Sequence, residues 1–347
     1  MLVRSFKEIQ KPLIVAEISG NHCGDLDLAL ETVRAAAVAG ADAVKVQSFT
    51  ADSMTLRVED PHFKANPDSA WAGEYLYDLY ARSALPFEWH EILAREAKRH
   101  GIIFFSSPFD ESAVDFLDDL GVPFFKIASF ECIDLPLIRH AAGKGKPLII
   151  STGMATEEEV CLAFEEAISA GLDKTQVMLL KCTSNYPATF DDANLSAMAS
   201  LNVRFDCPVG LSDHTLGLRC AEVALALGAK LVEKHFVLSS SKEQAVDGHF
   251  SATETELAEL VCSRDQIHSI LGRPDIGPTL SESSSRQRRR SIFVTQTIES
   301  GDVLTAQNMK RLRPGHGLDP KFYYEVLGRR VNRDLPVGHP LKFDDLI

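Results

Sequence analysis

The sequence predicts a (β/α)8 barrel followed by a small C-terminal module. Three observations carry that expectation. Eight short apolar runs recur over about 260 residues, each followed by a helix-like stretch, as parallel strands covered on both faces require. Polar and charged residues gather where those runs end, which is where barrels build their sites. The Gly-x-Gly-x-x-Gly turn of a doubly wound sheet is missing after the first run, which lowers that runner-up architecture.

In chain order, LIVAEIS (13–19) is followed by LALETVRAAAVAG (28–40), and AVKVQ (43–47) by FEWHEILAREAKRH (87–100). Then come IIFFSS (102–107) with DESAVDFLDDLG (110–121), FFKIAS (124–129) with PLIRHAAGKG (136–145), and PLIIST (147–152) with TEEEVCLAFEEAISAG (156–171). The last three pairs are VMLLKCTS (177–184) with LSAMASLNVRF (195–205), PVGLSDH (208–214) with LGLRCAEVALALG (216–228), and KLVEKHF (230–236) with TETELAELVCSRDQIHSILG (253–272). Glycines just past several helical stretches read as C-caps. Residues 50–86 are a long insert after the second strand, at the place where barrels carry substrate lids. The barrel is expected to span 1–272. RPDIGPTLSESSSRQRRR then reads as a linker over 273–290, and 291–347 as a turn-rich module with short β runs, marginal as a free domain at this size. The RQRRR run (286–290) reads as linker surface or dimer contact.

Composition narrows the function. The 347 residues are 45% hydrophobic and 24% charged, enough for a large core. Thirty-six basic against 49 acidic residues give a net charge of −13, which disfavours binding to nucleic-acid phosphates. No apolar run approaches the ~18 residues of a membrane helix, and the N-terminus lacks the features of a signal peptide. Seven cysteines without a C-x-x-C pair argue against disulfides or a zinc-thiolate site. Buried thiols in a reducing cytoplasm are expected.

The strand ends carry the chemistry. Glu17 closes the first run; Lys45 and Gln47, two apart and on one face, close the second. Ser107, Lys126, Ser129, Ser151, Lys181, Ser184 and Ser212 end the following runs, and Glu233 and His235 the last. Charge inside a strand is costly unless it is paired or faces a wet site. His214 and His235 end consecutive strands about 4.8 Å apart. They fit either two satisfied loop histidines or a shared divalent ion, Mn²⁺, Mg²⁺ or Co²⁺ more readily than structural Zn²⁺. Lys126 with Ser129, Ser151, Ser184 and Ser212 fits anion binding, against plain helix capping for any one serine. Lys45 fits either an ion pair with Glu17 or a hold on a substrate anion. Glu17 fits a general base or cation stabiliser.

The segments AEISGNHCGD, GADAVKVQSFTADSMT, FFSSPFDESAVDFL, FKIASFE, ISTGMAT, LKCTSNYPA, VGLSDHTLG and VEKHF resemble the sialic acid synthase family of phosphoenolpyruvate-dependent nonulosonate synthases. VTQTIESGDVLTAQNMKRLRPGHGL resembles that family's antifreeze-like SAF module. Within the family, YDLYARSALPFEWH, KIASFE and RPGHGLDPKFYYEVLGRR look most like pseudaminic acid synthases, with N-acetylneuraminate and legionaminate synthases as near alternatives. Ser184 stands where sialic acid synthases typically carry Asn, with Asn185 next, and Asp319 stands where pseudaminic synthases often read GLHP.

The resemblance implies a reaction. The C3 methylene of phosphoenolpyruvate attacks the aldehyde of a ring-opened acetamido-deoxy sugar, water adds at C2, and phosphate leaves by C–O cleavage. It implies that His214 and His235 hold a metal that activates water and orients the aldehyde, with Glu17 beside them. By the same resemblance Lys126, Ser129, Ser151 and Ser212 bind the phosphate, with Lys45 and Ser107 near the charged end of phosphoenolpyruvate. Gln47, Tyr186, Asp247 and Arg313 contact the sugar, Arg313 from a partner chain in a domain-swapped homodimer. A metal-dependent aldolase or isomerase, and a non-catalytic sugar sensor, are the readings from other classes.

Overall fold

A computed structural model describes residues 4–67 and 71–347. Residues 68–70, inside the expected lid insert, lie outside the described residues. Eight parallel strands close into a barrel: β1 (Leu13–Glu17), β2 (Ala43–Ser48), β3 (Ile103–Pro108), β4 (Phe125–Ile127), β5 (Leu148–Ser151), β6 (Val177–Cys182), β7 (Val209–Asp213) and β8 (Leu231–His235). Each strand pairs with the next, and β8 pairs with β1 from Leu13↔Leu231 to Glu17↔His235. The open-sheet alternative is thereby excluded.

Helices α1 (Leu26–Val38), α2 (Ala51–Met54), α3 (Leu76–Ser83), α4 (Phe87–Arg99), α5 (Glu111–Leu120), α6 (Leu135–Gly143), α7 (Glu157–Ser169), α8 (Ala197–Phe205), α9 (Arg219–Ala226) and α10 (Glu254–Leu271) fill the connections. Their starts follow local chemistry. The Asp25, Asp110 and Asp134 side chains accept from first-turn amides of α1, α5 and α6, and Thr156 with Glu159 forms a capping box on α7. Gly121 ends α5 at φ +79°, a conformation that costs glycine little.

Period-two alternation splits each strand between two cores. Val15, Ala43, Phe105, Phe124, Ile149, Met178, Leu180 and Leu231 fill the barrel interior together with Phe6 and Ile9. Ile14, Val44, Phe104, Ile127, Ile150, Leu179 and Val232 face the helices. Burying each Val, Leu, Ile, Phe or Met side chain among them contributes about 1.5–3 kcal/mol. The interior set stops before the strand ends do. Two residues beyond Val15, Ala43, Phe105, Phe124, Ile149 and Leu231 stand Glu17, Lys45, Ser107, Lys126, Ser151 and Glu233, so the same face turns from apolar to polar.

The chain divides into compact units over 1–272 and 273–347. The second has its own core, including Ile292, Val294, Ile298, Leu304, Met309, Val331 and Leu341. Two antiparallel strands, β9 (Ser291–Val294) and β10 (Met309–Leu312), and one short helix, α11 (Tyr323–Val326), shape it. Within the stretch read as linker, Leu280–Arg288 forms an exposed 3-10 run.

Two sequence expectations need correction. All seven cysteines are free, but Cys23 and Cys262 are exposed and Cys161 is half-buried, so buried thiols describe only four. Lys181 does not join the site wall. It is out of phase with Leu180 and Cys182 and turns back to donate to the Cys182 carbonyl at 2.7 Å.

Candidate functional site

Four charged side chains meet on the interior face of the barrel. Lys45 Nζ lies 2.5 Å from Glu17 Oε2 and 3.9 Å from Glu233 Oε1, and Lys126 Nζ lies 3.3 Å from Glu233 Oε1. All four are at least 96% buried at the side chain. Ser212 donates to Glu233 Oε1 at 3.1 Å, and Lys45 donates to Ser107 Oγ at 3.2 Å. The two carboxyls differ sharply. Burial raises the Glu17 carboxyl above the usual carboxylate range, with Lys45 opposing and Glu233 adding to the rise. Burial pushes Glu233 the same way, but Lys126 and Lys45 override it and hold that carboxyl at about 2. Two titrating groups driven apart in one cluster are the usual arrangement of an acid-base pair.

Beside Lys126 lies a cradle of hydroxyls. Ser151 Oγ is buried with no hydrogen-bond partner, and a buried polar atom left unpaired costs about 1–3 kcal/mol unless a ligand satisfies it. The Gly153 amide donates to Ser129 Oγ at 3.3 Å. A side chain at Gly153 would collide with Ser184 Oγ and approach Ser129 Oγ to 2.8 Å, so glycine lets the backbone come close to both hydroxyls. An ammonium, several hydroxyls and a near backbone amide suit a phosphate dianion. Ser184 also lies 3.8 Å from Cys182 Sγ.

His214 and His235 stand side by side with ring centroids 5.3 Å apart. The Thr183 carbonyl is 2.8 Å from His214 Nδ1 and can only accept, which assigns the proton to Nδ1 and leaves Nε2 as a lone pair. His235 Nδ1 is buried without a hydrogen bond, though Asp247 Oδ2 lies 3.3 Å away. Tyr186 packs 4.3 Å from His214 and Phe250 4.7 Å from His235, centroid to centroid. Burial lowers the His214 pKa, but the neighbouring Cys182, the Thr183 carbonyl and Glu233 more than offset it. Burial likewise works to raise the Cys182 thiol, and His214 brings it down to about 7. Among the described residues no group of three or more His, Cys, Asp or Glu is arranged to hold a metal ion. The two imidazoles, one with a free nitrogen and one with a buried nitrogen lacking a hydrogen bond, are the residues that would fit a divalent ion.

The other expected residues divide. Asp247 joins the histidines, and Asn21 holds it there: Asn21 Oδ1 accepts from the Asp247 amide at 3.0 Å while its Nδ2 donates to the Phe236 carbonyl and to Ser251 Oγ. Gln47 is half-buried one step beyond Lys45 on the interior face. Arg313 belongs to the second unit, on an exposed turn. Trp71, in the insert, packs at a tilt against Tyr186 at 6.3 Å and edge-on to His249 at 6.4 Å, centroid to centroid. The insert is tied to the first βα loop where His22 Nε2 meets the Ser83 carbonyl at 3.2 Å.

The sequence marked Glu233 as a strand-end residue without giving it a role, and it singled out neither Glu131, Gly153 nor Asn21. Glu233 was legible as the residue two before His235 on the same face. Glu131 was not, because a 3-10 turn over Phe130–Ile133 brings it in. Burial raises its carboxyl to about 7, with Lys126 opposing.

The NeuB family matches residues 32–275 and the SAF domain 289–347. The chain is 41% identical over 343 residues to a pseudaminic acid synthase of Helicobacter pylori, covering 97% of this chain and 98% of that one. It is 38% identical to an N,N'-diacetyllegionaminic acid synthase of Legionella pneumophila, covering 96% and 94%. Among solved structures, an N-acetylneuraminic acid synthetase of Leptospira borgpetersenii is 32% identical with a TM-score of 0.70, covering 79% of this chain and 90% of that one. A barrel with this buried cluster, in a chain matched almost throughout, belongs to the NeuB family of sialic acid synthases. It is an enzyme, a phosphoenolpyruvate-dependent synthase of the class that forms carbon–carbon bonds. Among the described residues no helix is long and apolar enough to cross a membrane.

Proposed function

We propose that the chain is a pseudaminic acid synthase, joining phosphoenolpyruvate to 2,4-diacetamido-2,4,6-trideoxy-L-altrose and water with loss of phosphate. The observation that carries the reading is the adjacency of a hydroxyl-lined anion cradle, with one orphaned serine, to a buried carboxylate of raised pKa and a pair of imidazoles. The pseudaminic acid synthase likeness over nearly the whole chain supports this sugar. The legionaminic relative keeps the same chemistry on another acetamido sugar as the second reading.

In this reading Lys126, Ser129, Ser151, Ser184 and Ser212 hold the phosphate, and Lys45 with Ser107 holds the carboxylate. C3 of phosphoenolpyruvate bonds to the aldehyde carbon, whose oxygen takes the proton that the Glu17 carboxyl holds through its raised pKa. Positive charge at C2 is met by Glu17, and Glu17 then accepts a proton from the water that adds there. Breaking the bond from C2 to the phosphate oxygen, with the C2 hydroxyl proton passing to the departing phosphate, leaves the keto acid and inorganic phosphate. A divalent ion, Mn²⁺, Mg²⁺ or Co²⁺, held by His214 and His235 supplies Lewis-acid polarisation of the aldehyde and of water. Gln47, Tyr186 and Asp247 position the sugar, and Arg313 reaches it from a partner in a swapped homodimer. The reaction is placed in the cytoplasm, where phosphoenolpyruvate is available.

A panel of acetamido sugars tests the assignment by product mass. The trideoxy-altrose is expected to give kcat/KM at least tenfold above N-acetylmannosamine and the legionaminic precursor sugar. Equal or higher turnover of either competitor contradicts it.

A further inference from the structure

We propose that Lys234 and Asp213, with Thr215, form a positioning clamp that sets the spacing of His214 and His235. The inference rests on the reading that those imidazoles hold a divalent cation.

The strand register places Asp213 directly opposite Lys234. Each is one residue out of phase with the interior set, so both side chains point away from the site, into the layer between sheet and helices. Their side chains are 1% and 2% exposed. Lys234 Nζ donates to Asp213 Oδ2 at 2.9 Å and to the Thr215 carbonyl at 2.7 Å. Asp213 Oδ1 accepts from the Thr215 amide at 2.9 Å and its hydroxyl at 2.7 Å. His214 lies between the two residues so tied, and Lys234 lies between Glu233 and His235. One buried ammonium therefore fixes the main chain at both imidazoles, from behind the sheet.

Stability alone does not explain the choice of residues. A buried ion pair must offset a large desolvation cost, and a well-packed apolar pair of similar volume often serves stability as well or better. No apolar side chain can hold the Thr215 carbonyl and amide in place. Such outer contacts typically change metal affinity ten- to a hundredfold when removed. None of these atoms reaches an imidazole ring, so the three are positioning residues rather than catalytic ones. Of the anion cradle only Ser212 stands on a clamped strand, while Lys126, Ser129, Ser151 and Ser184 come from β4 to β6 and the turns that follow them, so the clamp acts mainly on the imidazole half of the site.

The test is Mn²⁺ titration of the metal-free full-length protein by electron paramagnetic resonance, alongside calorimetric phosphoenolpyruvate binding without metal and a thermal midpoint. Lys234→Met and Asp213→Asn are expected to weaken Mn²⁺ binding at least tenfold, and Thr215→Val severalfold, with phosphoenolpyruvate affinity within twofold of the unaltered chain. The double variant Lys234→Met/Asp213→Leu, which leaves no uncompensated charge, is expected to regain the thermal midpoint but not the Mn²⁺ affinity. Thr215→Val keeps its side-chain volume and carries the test if the charge variants fail to fold. Unchanged Mn²⁺ affinity in a folded variant, or equal losses for both ligands, overturns the clamp. Failure of the unaltered chain to bind Mn²⁺ overturns the cation reading, and the clamp with it.

Discussion

Glu17 and Glu233 share a buried cluster with Lys45, yet only Glu17 is pushed toward neutrality. A carboxyl poised to exchange a proton is a far better general base than one pinned between two ammoniums. Glu17→Gln keeps the shape and removes the proton exchange. It should lower kcat by about 10²–10⁴-fold with the phosphoenolpyruvate KM nearly unchanged; a steady-state rate within tenfold of the unaltered enzyme would contradict the assignment. Gly153→Ala acts differently. Its methyl group would strike Ser184 Oγ and crowd Ser129, so the phosphoenolpyruvate KM should rise about tenfold or more while the thermal midpoint stays put. An unchanged KM would remove Gly153 from the cradle.

At the scale of elements, α4 meets the barrel through a polar contact. His90 Nε2 lies 2.7 Å from Ser48 Oγ, which lies 2.7 Å from Ser106 Oγ. Burial lowers the His90 pKa from 6.5 to about 4. The folded protein therefore holds fewer protons here than the unfolded chain between those values. This contribution is full above pH 6.5 and lost as pH falls toward 4, by up to about 3 kcal/mol. Urea midpoints of the unaltered chain should drop over that range, and His90→Gln, less stable at pH 7, should show a shallower drop. Parallel pH profiles would contradict the account. The strands and most helices were legible because parallel strands are apolar on both faces and the helices carry clear caps. Depth along a strand was harder to read. Lys181 looked like site wall because lysine is rare in such runs, yet its phase turns it away; Asp213 and Lys234 sit on the outer face for the same reason. Glu131 escaped because a turn, not a strand, delivers it.

At the scale of the whole molecule, the proposed swapped dimer makes a distinct prediction. Mixing Glu17→Gln and Arg313→Ala chains, each inactive alone, should rebuild one intact site per mixed dimer. With random exchange about a quarter of the sites should then be active, and no recovery after verified subunit exchange would place Arg313 outside the partner's site. The likeness to the family was legible across the chain, whereas the sugar was not, because discrimination among acetamido sugars rests on a few contacts of about 1–3 kcal/mol each. The most direct test of the central claim uses phosphoenolpyruvate labelled with ¹⁸O in the oxygen bridging C2 and phosphorus, together with the trideoxy-altrose and Mn²⁺. Mass spectrometry should find an unlabelled nine-carbon keto acid and all the label in phosphate; label retained in the keto acid, or no nine-carbon product, would contradict it.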